Sequence, residues 1–348
     1  MTTASRALGA LLLASARASA WRVCDVTAFG AVGDGSSDAT AAIRACLAAC
    51  DEVVLKHGGA FVSGPLNLTS NQVLRVDGTL LASQEPRDYP LVAPLLGYGW
   101  SNDMNCFAPG AAPHKVVVGK LRYAPVVGAF GARNVSVVGA GVIDGRGEPW
   151  WSNCTACHYP PHNDSRLCEV ATRPKLLEFQ FVDGLTVRGA SSDSPLTLRD
   201  SPFWTLTPSY SQNIRVRDLR ILAPMDRIGV PPPPASPPAR ARRARARSFR
   251  SHPTAPTTGN TDGVNLDSCR DAVVEHLYIN NSDDGVCMKS GLDGYGMNLA
   301  IPTEDVLVRN VSCDPASRCG FAIGSEMSGG VRNVTFRDSV CRVRTCIV

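Results

Sequence analysis

The chain has no apolar stretch long enough to span a bilayer as a helix, so an integral membrane protein is not expected. Its one notable apolar run, Ala7 to Ala14, follows Arg6 and precedes Ala18-Ser19-Ala20. That order is the pattern of a secretory leader covering residues 1–20, cut ahead of Trp21. Helical periodicity is almost absent as well. Only Asp38 to Asp51, carrying Ala42, Ile43, Ala45, Cys46, Leu47 and Ala49, reads as a helix. Cysteine and histidine do not recur in the matched pairs that zinc requires, so no metal is expected. Charge is modest: 19% of residues, with a formal net of +4. Six arginines between Arg240 and Arg250, with Arg6 and Arg17, account for that sign, and without them the balance becomes −4. The basic balance is therefore no argument for nucleic-acid binding.

What the chain does have is cysteine, in a number that suits an oxidising compartment. Thirteen are present, and disulfides are the expected use. Spacing does not fix their pairing, and an odd count leaves at least one thiol unpaired within the chain. Glycosylation acceptor sequences begin at Asn67, Asn134, Asn153, Asn163, Asn280, Asn310 and Asn333, which adds to the expectation of a secreted glycoprotein.

A short pattern repeats: one turn residue, then apolar residues alternating with polar ones. It starts at Asn134, Gly184, Asn213, Asp271, Asp305 and Asn333, in steps of 50, 29, 58, 34 and 28 residues. Alternation of period two bounded by Asn, Asp or Gly is a strand signal. Its recurrence every one or two turns of a solenoid argues for stacked strands sharing one continuous core. The 58-residue step contains Gly229 to Gly259, with the prolines Pro231 to Pro234 and the arginine cluster. Proline cannot join a central strand, so a disordered insertion at about 229–259 is expected. Omitting its 31 residues brings the step close to its neighbours.

Three aspartates fall within this pattern, in Asn260-Thr261-Asp262-Gly263 and Ser282-Asp283-Asp284-Gly285. Asp262 and Asp284 are 22 residues apart, about one solenoid turn, which would place them on neighbouring coils roughly 4.8 Å apart. Adjacent carboxylates repel, so one holds its proton while another stays ionised. One proton donor beside water-activating carboxylates suits hydrolysis of a glycosidic bond.

Further motifs narrow this. Arg173-Pro174-Lys175-Leu176-Leu177-Glu178-Phe179, Ser201-Pro202-Phe203-Trp204-Thr205-Leu206 and Gly324-Ser325-Glu326-Met327-Ser328-Gly329-Gly330 stand beside the aspartate motifs. Together they resemble glycoside hydrolase family 28, whose best-known members are the polygalacturonases. Phe29 to Gly35 and Gly139 to Trp151 resemble the wider β-helix superfamily. The resemblance implies an all-β, right-handed parallel β-helix, the pectin-lyase-like solenoid, with a short N-terminal capping helix and one domain over residues 21–348. It implies a secreted, monomeric hydrolase of galacturonosyl linkages in pectin or polygalacturonate, acting with inversion, without a cofactor and without nucleic-acid or membrane partners. Asp262 and Asp284 would activate the water and Asp283 would donate the proton. Asn260 and Lys289 would bind substrate.

Two departures from the family pattern suggest alternatives. The family's histidine before Gly324-Ser325 is replaced by the segment containing Arg318 and Cys319, with His276 too far upstream to substitute. The Arg-x-Lys triplet that binds the sugar carboxylate is expected about where the sequence stops at Val348, which reads as a truncated C-terminus. A pseudoenzyme that binds acidic polysaccharide without cleaving it, a calcium-dependent pectate lyase and a purely structural solenoid are the competing readings.

Overall fold

The computed structural model describes residues 20–98, 121–151, 173–223, 260–314 and 319–342. The expected leader (apart from Ala20), the expected insertion, Arg318 and the cluster Cys154, Cys157 and Cys168 lie outside the described residues.

Nearly every described strand pairs in parallel with the strand one coil before and one coil after. The result is a right-handed parallel β-helix with three walls. Alternation explains why: Glu52–Leu55, Val73–Val76 and Thr79–Ala82 each bury every second residue, so each strand offers one apolar row to a shared interior. The third wall runs through Leu66–Leu68, Val127–Phe130, Leu177–Gln180, Leu206–Ser209, Val264–Asp267, Val286–Lys289 and Phe321–Ile323. Register stacks Val127, Leu177, Leu206, Val264 and Val286 in one inward column, all fully buried. Leu206→Ala, in mid-column, is expected to cost about 2–5 kcal/mol through the cavity it leaves, read as a lowered urea midpoint with unchanged slope.

The recurring turn residue has a backbone cause. Asn71, Asn134, Gly184, Asn213, Asp271, Asp305 and Asn333 all adopt positive φ, between 50° and 85°. Left-handed backbone favours glycine and tolerates Asn and Asp. The bends stack coil upon coil, and their side chains bond along the stack. Asn134 Nδ2 donates to Asn71 Oδ1 at 2.9 Å, and Asn333 Nδ2 donates to Asp305 Oδ1. A second such stack, Asp218, His276, Asn310 and Asp338, marks another corner. His276 sits there, 3.6 Å from Asp218 and 3.1 Å from Asn310. It is a corner residue, away from the third wall.

The expected capping helix is present as Thr40–Ala49, with Ile43, Cys46 and Leu47 buried. A disulfide between Cys24 and Cys50 ties its end to the first strand. Gln72 Nε2 donates to the carbonyls of Leu47 and Cys50 at 2.6 and 3.0 Å, satisfying acceptors that a helix end leaves open. A second disulfide joins Cys313 and Cys341.

One helix was not legible. Asp293–Leu299 contains two glycines and no apolar stripe, so propensity argues against it. Packing makes it: a Cβ on Gly296 would come within 2.6 Å of the Gly291 backbone. The adjoining Leu292 joins Leu95, Tyr98, Phe203 and Trp204 in a small apolar cluster on the outside of the third wall.

Candidate active site

The outward face of the third wall follows from the same alternation. With Val264, Leu266, Val286 and Met288 turned into the core, Asp267 and Lys289 must point the other way. Register sets Gln180, Ser209, Asp267 and Lys289 side by side on successive coils. Asp262 and Asp284 each lie two residues before their strand, so both project from the same rim, one coil apart. The two loops bond directly: Gly263 N donates to Asp284 O at 2.8 Å and Val264 N to Gly285 O at 2.9 Å. A Cβ on Gly263 would stand 2.4 Å from Gly285 O, so only glycine permits this approach.

Side chains brace the pair of loops. Asn281 Nδ2 donates to Thr261 O at 2.9 Å and to Asp284 O at 2.7 Å. The Thr261 and Ser282 hydroxyls meet at 2.8 Å, and Asp283 Oδ1 accepts from Asp284 N at 3.0 Å. The aspartates are thus held by a fixed polar frame, a condition for precise proton transfer. Asn260 is buried, with φ of 47°, and its Oδ1 accepts from Trp204 Nε1 at 3.3 Å.

Lys289 is buried rather than at the surface, its side chain 4% exposed. Its Nζ lies 2.9 Å from Glu326 Oε2, 3.4 Å from Asp262 Oδ2 and 4.5 Å from the centre of the Trp204 ring. Burial disfavours the ammonium, but Cys287, Asp262 and Glu326 outweigh it and hold Lys289 protonated well above its usual range. Burial pushes the Asp262 carboxyl well up; Lys289 opposes this, while Asp283, Asp284 and Glu326 add to it. Glu326 goes the other way: burial would raise it, yet Lys289 holds it low. Asp262 Oδ1 is buried with no hydrogen-bond partner among the described residues. Such an orphan costs about 1–3 kcal/mol, and in a native fold it asks for a use.

The wall carries more charge than sequence reasoning assigned. Glu178 lies between Arg122, at 2.5 Å, and Lys175, at 2.7 Å, with all three side chains buried. Lys175 Nζ also lies over the Trp204 ring, 4.8 Å from its centre. Asp267 is pushed up to about 6 by burial, against the pull of Tyr98, Lys175 and Lys289. Trp204, Glu326 and Glu178 all belong to motifs visible in the sequence. Their roles were not, because only the fold brings two lysines that are 114 residues apart over one tryptophan ring.

The cysteine and acidic side chains that come within reach of one ion, among the described residues, are Cys24, Cys46 and Cys50. Two of these are joined as a disulfide.

Comparison with known proteins bears on the family and the fold. Residues 115–344 match the model of glycosyl hydrolases family 28. A probable polygalacturonase of Vitis vinifera is 31% identical, over 90% of this chain and 53% of its own length. A polygalacturonase of Cryptomeria japonica is 24% identical, over 89% of this chain and 45% of its own. The chain thus spans about half the length of the curated relatives it matches. Among solved structures, the hyperthermoactive exopolygalacturonase of Thermotoga maritima superposes with a TM-score of 0.66 at 26% identity, covering 92% of this chain and 67% of that one.

Proposed function

Because the chain belongs to glycosyl hydrolases family 28, we propose that it is a secreted hydrolase of α-1,4 galacturonosyl linkages in pectin or polygalacturonate, acting by inversion. The observation that carries this reading is the braced loop pair, with Asp262 buried beside Asp283 and Asp284 and pushed toward its protonated form.

Asp283 donates its proton to the glycosidic oxygen as the bond to the anomeric carbon breaks. Asp262 and Asp284 take a proton from a water whose oxygen bonds to that carbon from the opposite face. One water is consumed and the configuration inverts. A base with a raised pKa accepts a proton near the working pH more readily than an ordinary carboxylate. Lys175 and Lys289, each paired with a buried carboxylate, set an ammonium over the Trp204 ring on the wall that would face an anionic chain, and Asn260 holds that ring through its indole N–H. Secretion is supported by the leader pattern and by two disulfides among the described residues.

A second assignment, Asp262 as the proton donor, is favoured by the same raised carboxyl. The test of the activity is incubation with polygalacturonate. Reducing ends are expected to appear without an ultraviolet-absorbing unsaturated product, and proton NMR of early products should show the inverted anomer. An unsaturated product lost on adding a chelator would instead identify a lyase, and no product with retained binding would identify a pseudoenzyme.

A further inference from the structure

Glu326 is the one acidic residue of the Gly324–Gly330 motif, and no step above uses it. Its side chain is buried, with Oε2 2.9 Å from Lys289 Nζ and accepting from Ser325 Oγ at 3.2 Å. Asp262, the other carboxylate on that ammonium, is farther away at 3.4 Å. One cation therefore serves two carboxylates unequally. The surroundings restrict any exchange: a Cβ on Gly324 would meet Cys287 Sγ at 2.9 Å, Glu326 Oε2 at 3.0 Å and Lys289 Nζ at 3.4 Å. On another side the ammonium rests over Trp204.

We propose that Glu326 is a positioning residue: by holding Lys289 as the nearer of its two carboxylate partners, it withholds that cation from Asp262 and leaves Asp262 free to exchange a proton with the reacting water. The inference rests on reading Asp262 as part of the hydrolytic set. Among the described residues, the charged and titratable groups around this trio are Asp283 and Asp284 from the braced loop, Cys287 from the strand of Lys289, Asp267 from the neighbouring coil, Tyr98 from the turn packed against that wall, and Lys175, which shares the Trp204 ring. Asp283, Asp284 and Glu326 raise the Asp262 carboxyl, whereas Lys289 lowers it. Removing the charge of Glu326 acts twice in one direction. It deletes a repulsion, and it frees Lys289 to approach Asp262.

The test is a carboxyl-carbon NMR titration of the whole chain labelled at aspartate, with Asp262→Asn assigning the resonance. In Glu326→Gln the ionisation midpoint of Asp262 is expected to fall, by a tenfold or larger change in its ionisation constant. Glu326→Asp keeps the charge on a shorter arm and should shift the midpoint in the same direction by less. On polygalacturonate, the acid limb of kcat/KM should move to lower pH with the titration, which a merely structural role would not produce. A midpoint that stays put in folded Glu326→Gln overturns the proposal; if that variant does not fold, an unmoved midpoint in Glu326→Asp overturns it. Because the titration needs no turnover, a wild type that cleaves nothing while its Asp262 midpoint responds would reject the hydrolase reading, yet sustain the withholding of Lys289 from Asp262 by Glu326.

Discussion

Asp283→Asn is expected to slow hydrolysis of polygalacturonate by a factor on the order of 10² to 10⁴, the usual cost of losing a general acid. An amide cannot supply the proton that the leaving oxygen needs. The size of the loss should depend on that oxygen: an aryl galacturonide with an acidic leaving group needs little protonation, so on it the variant should recover most of its rate. Asp262→Asn should not recover, because it lacks a water-activating carboxylate whatever departs. If the two variants exchange these behaviours, Asp262 is the acid. Equal loss by both on both substrates would mean that the frame, rather than a particular proton, was damaged.

Stability separates the variants independently. Asp262 is raised in the fold, so the native state holds a proton that the unfolded chain releases. Its contribution is therefore full below its unfolded pKa and is lost as pH rises through its folded value. Asp262→Asn should melt higher than wild type at neutral pH and show a smaller difference in acid. A site that costs stability when ionised is a site kept for its chemistry.

The coil architecture was legible because it is written locally. Period-two burial and a left-handed turn residue need no partner from far away, and Asn134, Asn213, Asp271, Asp305 and Asn333 mark successive corners in the sequence as they do in the fold. The loop pair was legible for a related reason: 22 residues is one coil, so spacing alone set Asp262 beside Asp284. Less could be foreseen where contacts bypass the repeat. The helix Asp293–Leu299 exists by packing against Gly291 and the turn Leu96–Tyr98, which local propensity does not report. Lys289 was seen as a candidate for binding substrate, yet its burial between Asp262 and Glu326 depends on a residue 37 positions later. Sequence named the residues; only the register of the third wall said which charges meet.

Glu178 gives the largest expected effect on the fold. Its carboxylate lies between Arg122 and Lys175, all three buried, and Gln180 Nε2 donates to it at 3.2 Å. Burial would raise Glu178, but Arg122 and Lys175 win and hold it at about 2. Glu178→Gln preserves shape and removes the anion, leaving two buried cations without their counterion. Breaking a buried charge pair in this way costs about 3–5 kcal/mol, which should lower Tm by roughly ten degrees. The pH dependence gives the cause. A carboxylate depressed by the fold contributes its full stabilisation above its ordinary value of 4.5, and loses it as pH falls toward about 2. The gap between wild type and variant should therefore be widest near neutrality and narrow across that acid window. A gap of constant size would assign the loss to packing instead. The damage should also reach the reaction, since Lys175 lies over the ring of Trp204 that Lys289 shares. A folded Glu178→Gln at low temperature should then show a raised KM for polygalacturonate, while the ratio of its kcat values on the polymer and on the aryl galacturonide stays that of wild type, because the proton donation proposed for Asp283 does not pass through Glu178.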